Sequence, residues 1–145
     1  MRMLPAFFVI LMTGAALSFW GCGTATVPSA GPDNPLEACP ESPNCVRSTL
    51  EVMAEADRIL EAARQTLENM GAESIEETEA GGLHAVFRIA VFGFRDDVHL
   101  ALSPQPDGGT FVHIRSASRT GYSDLGVNSR RVDRFFRLLT AELRK

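Results

Sequence analysis

Apolar and polar positions change their period several times along the chain, and the changes predict its elements. Leu4 to Trp20 runs without a charge after Arg2. From Gly23 to Glu37 no periodic face is visible, and Thr, Ala, Ser, Pro and Gly dominate. Ser48-Thr-Leu-Glu51 has the spacing of a capping box, in which each end side chain accepts from the backbone N–H of the other. It predicts the start of a helix. Val52, Ala56, Ile59, Leu60, Ala63, Leu67 and Met70 then recur mostly at spacings of three and four, and Gly71 predicts the stop. Glu51, Glu55, Glu61, Arg64 and Glu68 make the solvated face.

Beyond Gly71 the period is two. Ser74 to Glu79 predicts a weak strand near a sheet edge, and Gly81-Gly82 a turn. Leu83 to Ile89 sets Leu83, Ala85, Phe87 and Ile89 against His84, Val86 and Arg88. After a corner at Val91 to Phe94, Asp96 to Leu102 and Phe111 to Arg115 predict two more strands around a turn at Pro104 to Gly109. Setting Leu102 opposite Thr110 places Val98 opposite Ile114, Leu100 opposite Val112, Asp97 opposite Arg115 and His99 opposite His113. Val132, Phe135, Phe136, Leu139 and Leu143 mark a last amphipathic helix that starts near Asn128. The pattern predicts an α+β domain: a helix, a four-stranded, mainly antiparallel sheet and a C-terminal helix, in two layers.

Composition narrows the class. The chain has 145 residues, enough for one domain, and a net charge of −4, which argues against nucleic-acid binding. That charge is polarised. Residues 23 to 80 hold twelve acids and three arginines, residues 81 to 145 six acids and ten bases, so the two halves are expected to attract each other in the fold.

The basic start and uncharged run predict an export signal over residues 1–21, ending at Gly21-Cys22. The Gly-Cys ending resembles the bacterial lipoprotein signal, in which the cysteine is acylated, although Phe19-Trp20 departs from that pattern. The expectation is a lipid anchor on Cys22, a flexible tether over 22–37, a single domain over 38–145, and a location in the cell envelope outside the cytoplasm. Cys39 and Cys45 enclose five residues, two of them proline, and predict a small disulfide loop in an oxidising compartment.

The segment from Arg115 to Asp133 looks least like scaffold: it is rich in hydroxyls and carries four arginines. Arg130 and Arg131 fall in the first turn of the last helix, where the macrodipole disfavours cations. One resolution is a structural network pairing the arginines with Asp96, Asp97, Asp124 or Asp133, with Asp124 or Asn128 as cap. The other is an anion or partner site built from Arg115, Ser116, Ser118, Arg119, Tyr122, Ser123, Asp124, Asn128, Arg130 and Arg131. His84, His99 and His113 raise a metal reading, but convergence of three strand histidines is a demanding condition and no metal or cofactor is expected.

The chain holds no G-x-S-x-G, H-E-x-x-H or P-loop. Asp96 and Asp97 are adjacent on a strand and point to opposite faces, so they cannot act as a facing acid/base pair. The expected function is a noncatalytic, lipid-anchored envelope domain that binds a protein or a small anion. The alternative is a hydrolase or transferase acting on an anionic envelope substrate.

Three stretches together resemble domain-of-unknown-function family number 1499: Cys-Pro-Glu-Ser-Pro-Asn-Cys at 39–45, Phe-Gly-Phe-Arg-Asp-Asp-Val at 92–98, and Arg115 through Arg131. The resemblance runs from about Leu36 to the C-terminus. It implies an envelope-type protein and supplies no activity.

Overall fold

The computed structural model describes residues 34–89 and 93–145. The expected signal, Cys22, most of the tether and Phe92 lie outside the described residues. In chain order the elements are β1 (Cys45–Val52), α1 (Ala56–Asn69), β2 (Ser74–Glu77), β3 (Leu83–Arg88), β4 (Arg95–Pro104), β5 (Thr110–Ser118) and α2 (Val127–Glu142). The strands form one antiparallel sheet of five in the order β1-β5-β4-β3-β2.

The fifth strand corrects the expected four, and it lies where the capping box pointed to a helix. Ser48 and Glu51 sit inside β1, which pairs with β5 from Cys45 opposite Ala117 to Val52 opposite Thr110. Val46, Ser48, Leu50 and Val52 share one face of this strand, and Val46, Leu50 and Val52 pack against the core. Pairing supplies partners for an otherwise open edge of β5, a long-range gain that outweighs a local capping preference. The helix starts eight residues after the capping serine, at Ala56, and its far end matches the glycine signal. Gly71 has φ of 87°, with Ala72 N–H donating to the Leu67 carbonyl (3.1 Å) and Gly71 N–H to the Glu68 carbonyl (2.9 Å). This is a Schellman ending, which needs a left-handed residue in that place.

The β4–β5 hairpin differs from the expected register by two residues. Leu102 faces Val112, Leu100 faces Ile114 and Val98 faces Ser116; His99 faces Arg115, Asp97 faces Ala117, and His113 faces Ala101. A shift of two preserves every face, so burial alone could not distinguish the registers. The turn does. Gln105 N–H donates to the Gly109 carbonyl at 2.7 Å and Gly108 takes φ of 87°, which extends β4 through Pro104. β3 pairs with β4 only as far as Leu100, so the missing N–H of Pro104 deprives no neighbour.

Both helices pack on one face of the sheet and on each other. Ile59, Ala63 and Leu67 of α1 and Val132, Phe135 and Leu139 of α2 bury against Leu83, Ala85, Val98, Leu100, Val112 and Ile114. Among the described residues, no helix packs on the other face, which carries Arg47, His84, Asp97, His99, His113 and Arg115. The segment expected to be a flexible tether ends sooner than its composition predicts: Asn34 is buried, its Nδ2 donating to the Ser48 carbonyl (3.3 Å) and to Thr49 Oγ1 (3.1 Å).

Two glycines separate steric from conformational cost. A Cβ on Gly82 would run into the Leu100 carbonyl oxygen, whereas Gly71 has open space but a left-handed φ. Gly82→Ala should therefore cost more than Gly71→Ala in urea unfolding: about 1–3 kcal/mol or more from overpacking against about 1–2 kcal/mol of backbone strain.

Candidate functional site

At one end of the core, polar side chains stand where the sheet's alternation calls for apolar ones. Asp96 and Ser116 point to the helix-covered face, and Asn128 and Arg131, three apart on α2, meet them. Asp96 is 1% exposed, Ser116 and Asn128 are fully buried, and Arg131 is 9% exposed. Charges this deep must be paired and hydrogen-bonded. Arg131 Nη2 donates to Asp96 Oδ2 at 2.7 Å, and its Nη1 donates to Ser116 Oγ at 3.1 Å and to Asn128 Oδ1. The guanidinium lies over the Phe87 ring, 4.8 Å from its centroid.

The network continues outward. Asn128 Nδ2 donates to the Asn44 carbonyl and to Ser118 Oγ, both at 3.0 Å. Asn44 belongs to the loop closed by the Cys39–Cys45 disulfide, whose Cα atoms are 5.6 Å apart. Its carbonyl also accepts from Ser118 N–H (3.0 Å), its Nδ2 donates to the Gly121 carbonyl, and its Oδ1 accepts from Ser42 Oγ. All three sequence motifs thus meet in one cluster. Asn44 and Phe87 were missed by the sequence reading; Asn44 lies within Cys-Pro-Glu-Ser-Pro-Asn-Cys, but nothing in that run indicates a partner more than seventy residues away.

Strand alternation and the helix start divide the expected site into separate places. The connection between β5 and α2 is only residues 119–126, because the residues before and after it are strand and helix. In this loop Asp124 Oδ1 accepts from Gly126 N–H (2.8 Å) and Oδ2 from Asn128 N–H (2.6 Å), so the carboxylate serves the helix N-terminus and not an arginine. Burial pushes its carboxyl up, but the Asn128 and Gly126 N–H groups outweigh that and hold it below the ordinary value. Ser123 Oγ accepts from Leu125 N–H, and Arg130 donates to the Leu125 carbonyl at 3.0 Å. Tyr122 and Leu125 are exposed, and Leu125 takes φ of 54°.

Arg115 and Asp97, next in sequence to Ser116 and Asp96, face away from the helices. Asp97 accepts two bonds from Arg119, each 2.8 Å, and one from His84 Nε2 at 2.8 Å. The Arg119 guanidinium, foremost, and His84 hold the Asp97 carboxyl down at about 2 against the opposing effect of burial. Arg115 pairs with Glu37 at 3.3 Å. With Arg131 on Asp96, three of the segment's four arginines have carboxylate partners and Arg130 has a carbonyl. That leaves little free charge at the loop for an anion.

The histidines share the open face without converging on one point. The His84 and His99 rings stack with centroids 4.5 Å apart, and burial, aided by His84, lowers the pKa of His99. His113 is buried between Thr49 Oγ1 (2.9 Å) and Ser103 Oγ (3.0 Å). Among the described residues no group of three or more His, Cys, Asp or Glu side chains is placed to hold a metal ion.

Comparison with known proteins places the chain within this frame. The family described as "Protein of unknown function (DUF1499)" matches residues 35–139. No protein of curated function matches the sequence. Among solved structures, the adenylate sensor from AMP-activated protein kinase, in complex with 5-aminoimidazole-4-carboxamide 1-beta-D-ribofuranotide, shares the fold at a TM-score of 0.51 and 14% identity, over 63% of this chain and 94% of that one. TTHA0849 from Thermus thermophilus aligns over 68% of this chain and 95% of that one, with 14% identity and a TM-score of 0.38.

Two measurements separate the neighbouring aspartates. Asp96→Ala strands Arg131 as an uncompensated buried charge and should cost about 3–5 kcal/mol in urea unfolding. Asp97 titrates lower in the folded than in the unfolded chain, so its contribution is complete above 3.8 and is lost as pH falls toward about 2. Wild type should lose its stability advantage over Asp97→Asn across that interval, and a constant difference would show that the carboxylate contributes nothing through its charge.

Proposed function

The chain belongs to the family of proteins of unknown function DUF1499, and with no activity to inherit from it we propose a noncatalytic binding domain, exported and held in the cell envelope by a lipid on Cys22, that engages a protein partner through the loop at residues 119–126. One observation carries the binding surface. Leu125 is 85% exposed in a left-handed conformation, so it meets both an apolar exposure cost and a backbone cost. Residues held in such conformations cluster at sites of function.

The surroundings favour a protein over a small anion. Tyr122 is exposed on the same loop, and half-exposed Phe94 is brought to the same end of the sheet by the bond from Arg119 N–H to the Arg95 carbonyl. Aromatic and aliphatic side chains presented by a rigid support are what protein interfaces use as anchors. The loop is rigid because Asp124, Asn44 and Arg130 each bind its backbone. Export and anchoring are supported by the uncharged run ending at Gly21-Cys22, and the Cys39–Cys45 bond fits an oxidising compartment.

Leu125→Gly relieves the backbone strain, partly offset by the entropy of glycine, and should raise stability by a few tenths to about 1 kcal/mol. In cells, a photo-reactive residue at position 122 should give a discrete adduct that Leu125→Gly diminishes, while the same probe at Glu68 on α1 gives none. Equal labelling at both positions would remove the binding reading. Incorporation of labelled fatty acid that persists in Cys22→Ser would remove the anchor.

A further inference from the structure

The face of the sheet opposite the helices holds a second concentration of charge, remote from the loop tip. Arg47 of β1 lies directly opposite Arg115 of β5, and Arg115 lies opposite His99 of β4. Like charges placed across a ladder repel, so an arginine pair in register needs an anion to be comfortable there. The described structure supplies one. Glu37 reaches Arg115 at 3.3 Å, but its side chain is 82% exposed while that of Arg115 is 13% exposed. Among the described residues Arg47 has the Asn34 carbonyl, at 2.6 Å from its Nη2, and no carboxylate. The Nε atoms of both arginines are buried and have no hydrogen-bond partner among the described residues. Guanidinium groups rarely keep enclosed donors idle, since each one left unmade forfeits its hydration without return.

We propose that Arg47 and Arg115 form an oxyanion site on the open face, which Glu37 fills as an internal carboxylate and from which a small external carboxylate or phosphate displaces it. The supporting geometry is a strap. Asn34 anchors the strap to β1 through Ser48, Thr49 and Arg47, and Leu36 N–H donates back to Asn34 Oδ1 at 3.0 Å. Only Pro35 and Leu36 separate that anchor from Glu37, so the carboxylate is delivered at the end of a short tethered arm. An exposed carboxylate against a guanidinium is a weak pair and an easily displaced competitor. The planar fork of each arginine suits a carboxylate or phosphate, which offers two or more oxygens in one plane. Of the other groups facing the pair, His99 adjoins Arg115 but burial favours its neutral form, and Asp97, on the neighbouring row, is committed to Arg119 and His84. The site shares no residue with the Tyr122–Leu125 surface, so either can fail alone.

The test is a titration of the full-length chain in detergent with inorganic phosphate and, separately, succinate, following the arginine Nε–H resonances by NMR. Saturable shifts of the Arg47 and Arg115 signals are expected with at least one probe; phosphate alone, succinate alone or both would identify the oxyanion it serves. Removing the internal competitor with Glu37→Gln, a change at an exposed position, should tighten the midpoint by about 1.5- to 5-fold. Arg47→Gln should weaken it while Leu125→Gly leaves it unchanged. Unsaturable shifts with both probes, or a midpoint indifferent to both Glu37→Gln and Arg47→Gln, would overturn the proposal.

Discussion

A guanidinium and a carboxylate with almost no access to water must find every partner inside the protein, and Arg131 and Asp96 arrange one end of this domain around that requirement. The pair need not add net stability, since a buried ion pair and a well-packed apolar pair of equal volume are often equivalent. Its effect here is positional. Arg131 can reach Asp96, Ser116 and Asn128 together only if α2 begins at its observed place and β4 and β5 hold their observed register. Asn128 then ties Asn44 and the disulfide loop to the same point. Together with the turn at Gln105–Gly109, the network selects this register over the neighbouring one, which burial alone leaves nearly equivalent.

The same constraint explains why the polar segment divides its labour. Alternation along β4 and β5 sends Asp96 and Ser116 inward and Asp97 and Arg115 outward, so residues adjacent in sequence join different electrostatic environments. Inward, the charges are dry and fully used. Outward, Arg119 and His84 satisfy Asp97, and among the described residues Arg115 meets one exposed carboxylate. The loop between them contributes little unpaired charge and an exposed leucine. A surface of this kind is better suited to contact with a protein than to capture of an ion, and the cationic character belongs to the open face of the sheet.

Much of the fold was legible from periodicity. The apolar stripes of α1 and α2, the alternation of β3 and the glycine stop at Gly71 are local patterns whose physical cause acts within a few residues. β1 was not legible in the same way, because Ser48-Thr-Leu-Glu51 satisfies two local descriptions at once and the choice between them rests on β5, more than sixty residues away. The hairpin register failed for a related reason: a shift of two leaves the hydrophobic pattern intact, and only the turn at Gln105–Gly109 and the network at the far end distinguish the alternatives.

By itself, then, the sequence determined the layer architecture, the burial of one sheet face, the opposed directions of Asp96 and Asp97, and the family to which the chain belongs. These follow from side-chain period and composition, which need no knowledge of distant partners. Tertiary structure alone decided which carboxylate each arginine meets, that Asp124 serves a helix end, and that Arg115 stands with Arg47 and not with Arg131. Charge pairing depends on distances of a few ångströms between segments far apart in the chain, and no local pattern encodes them.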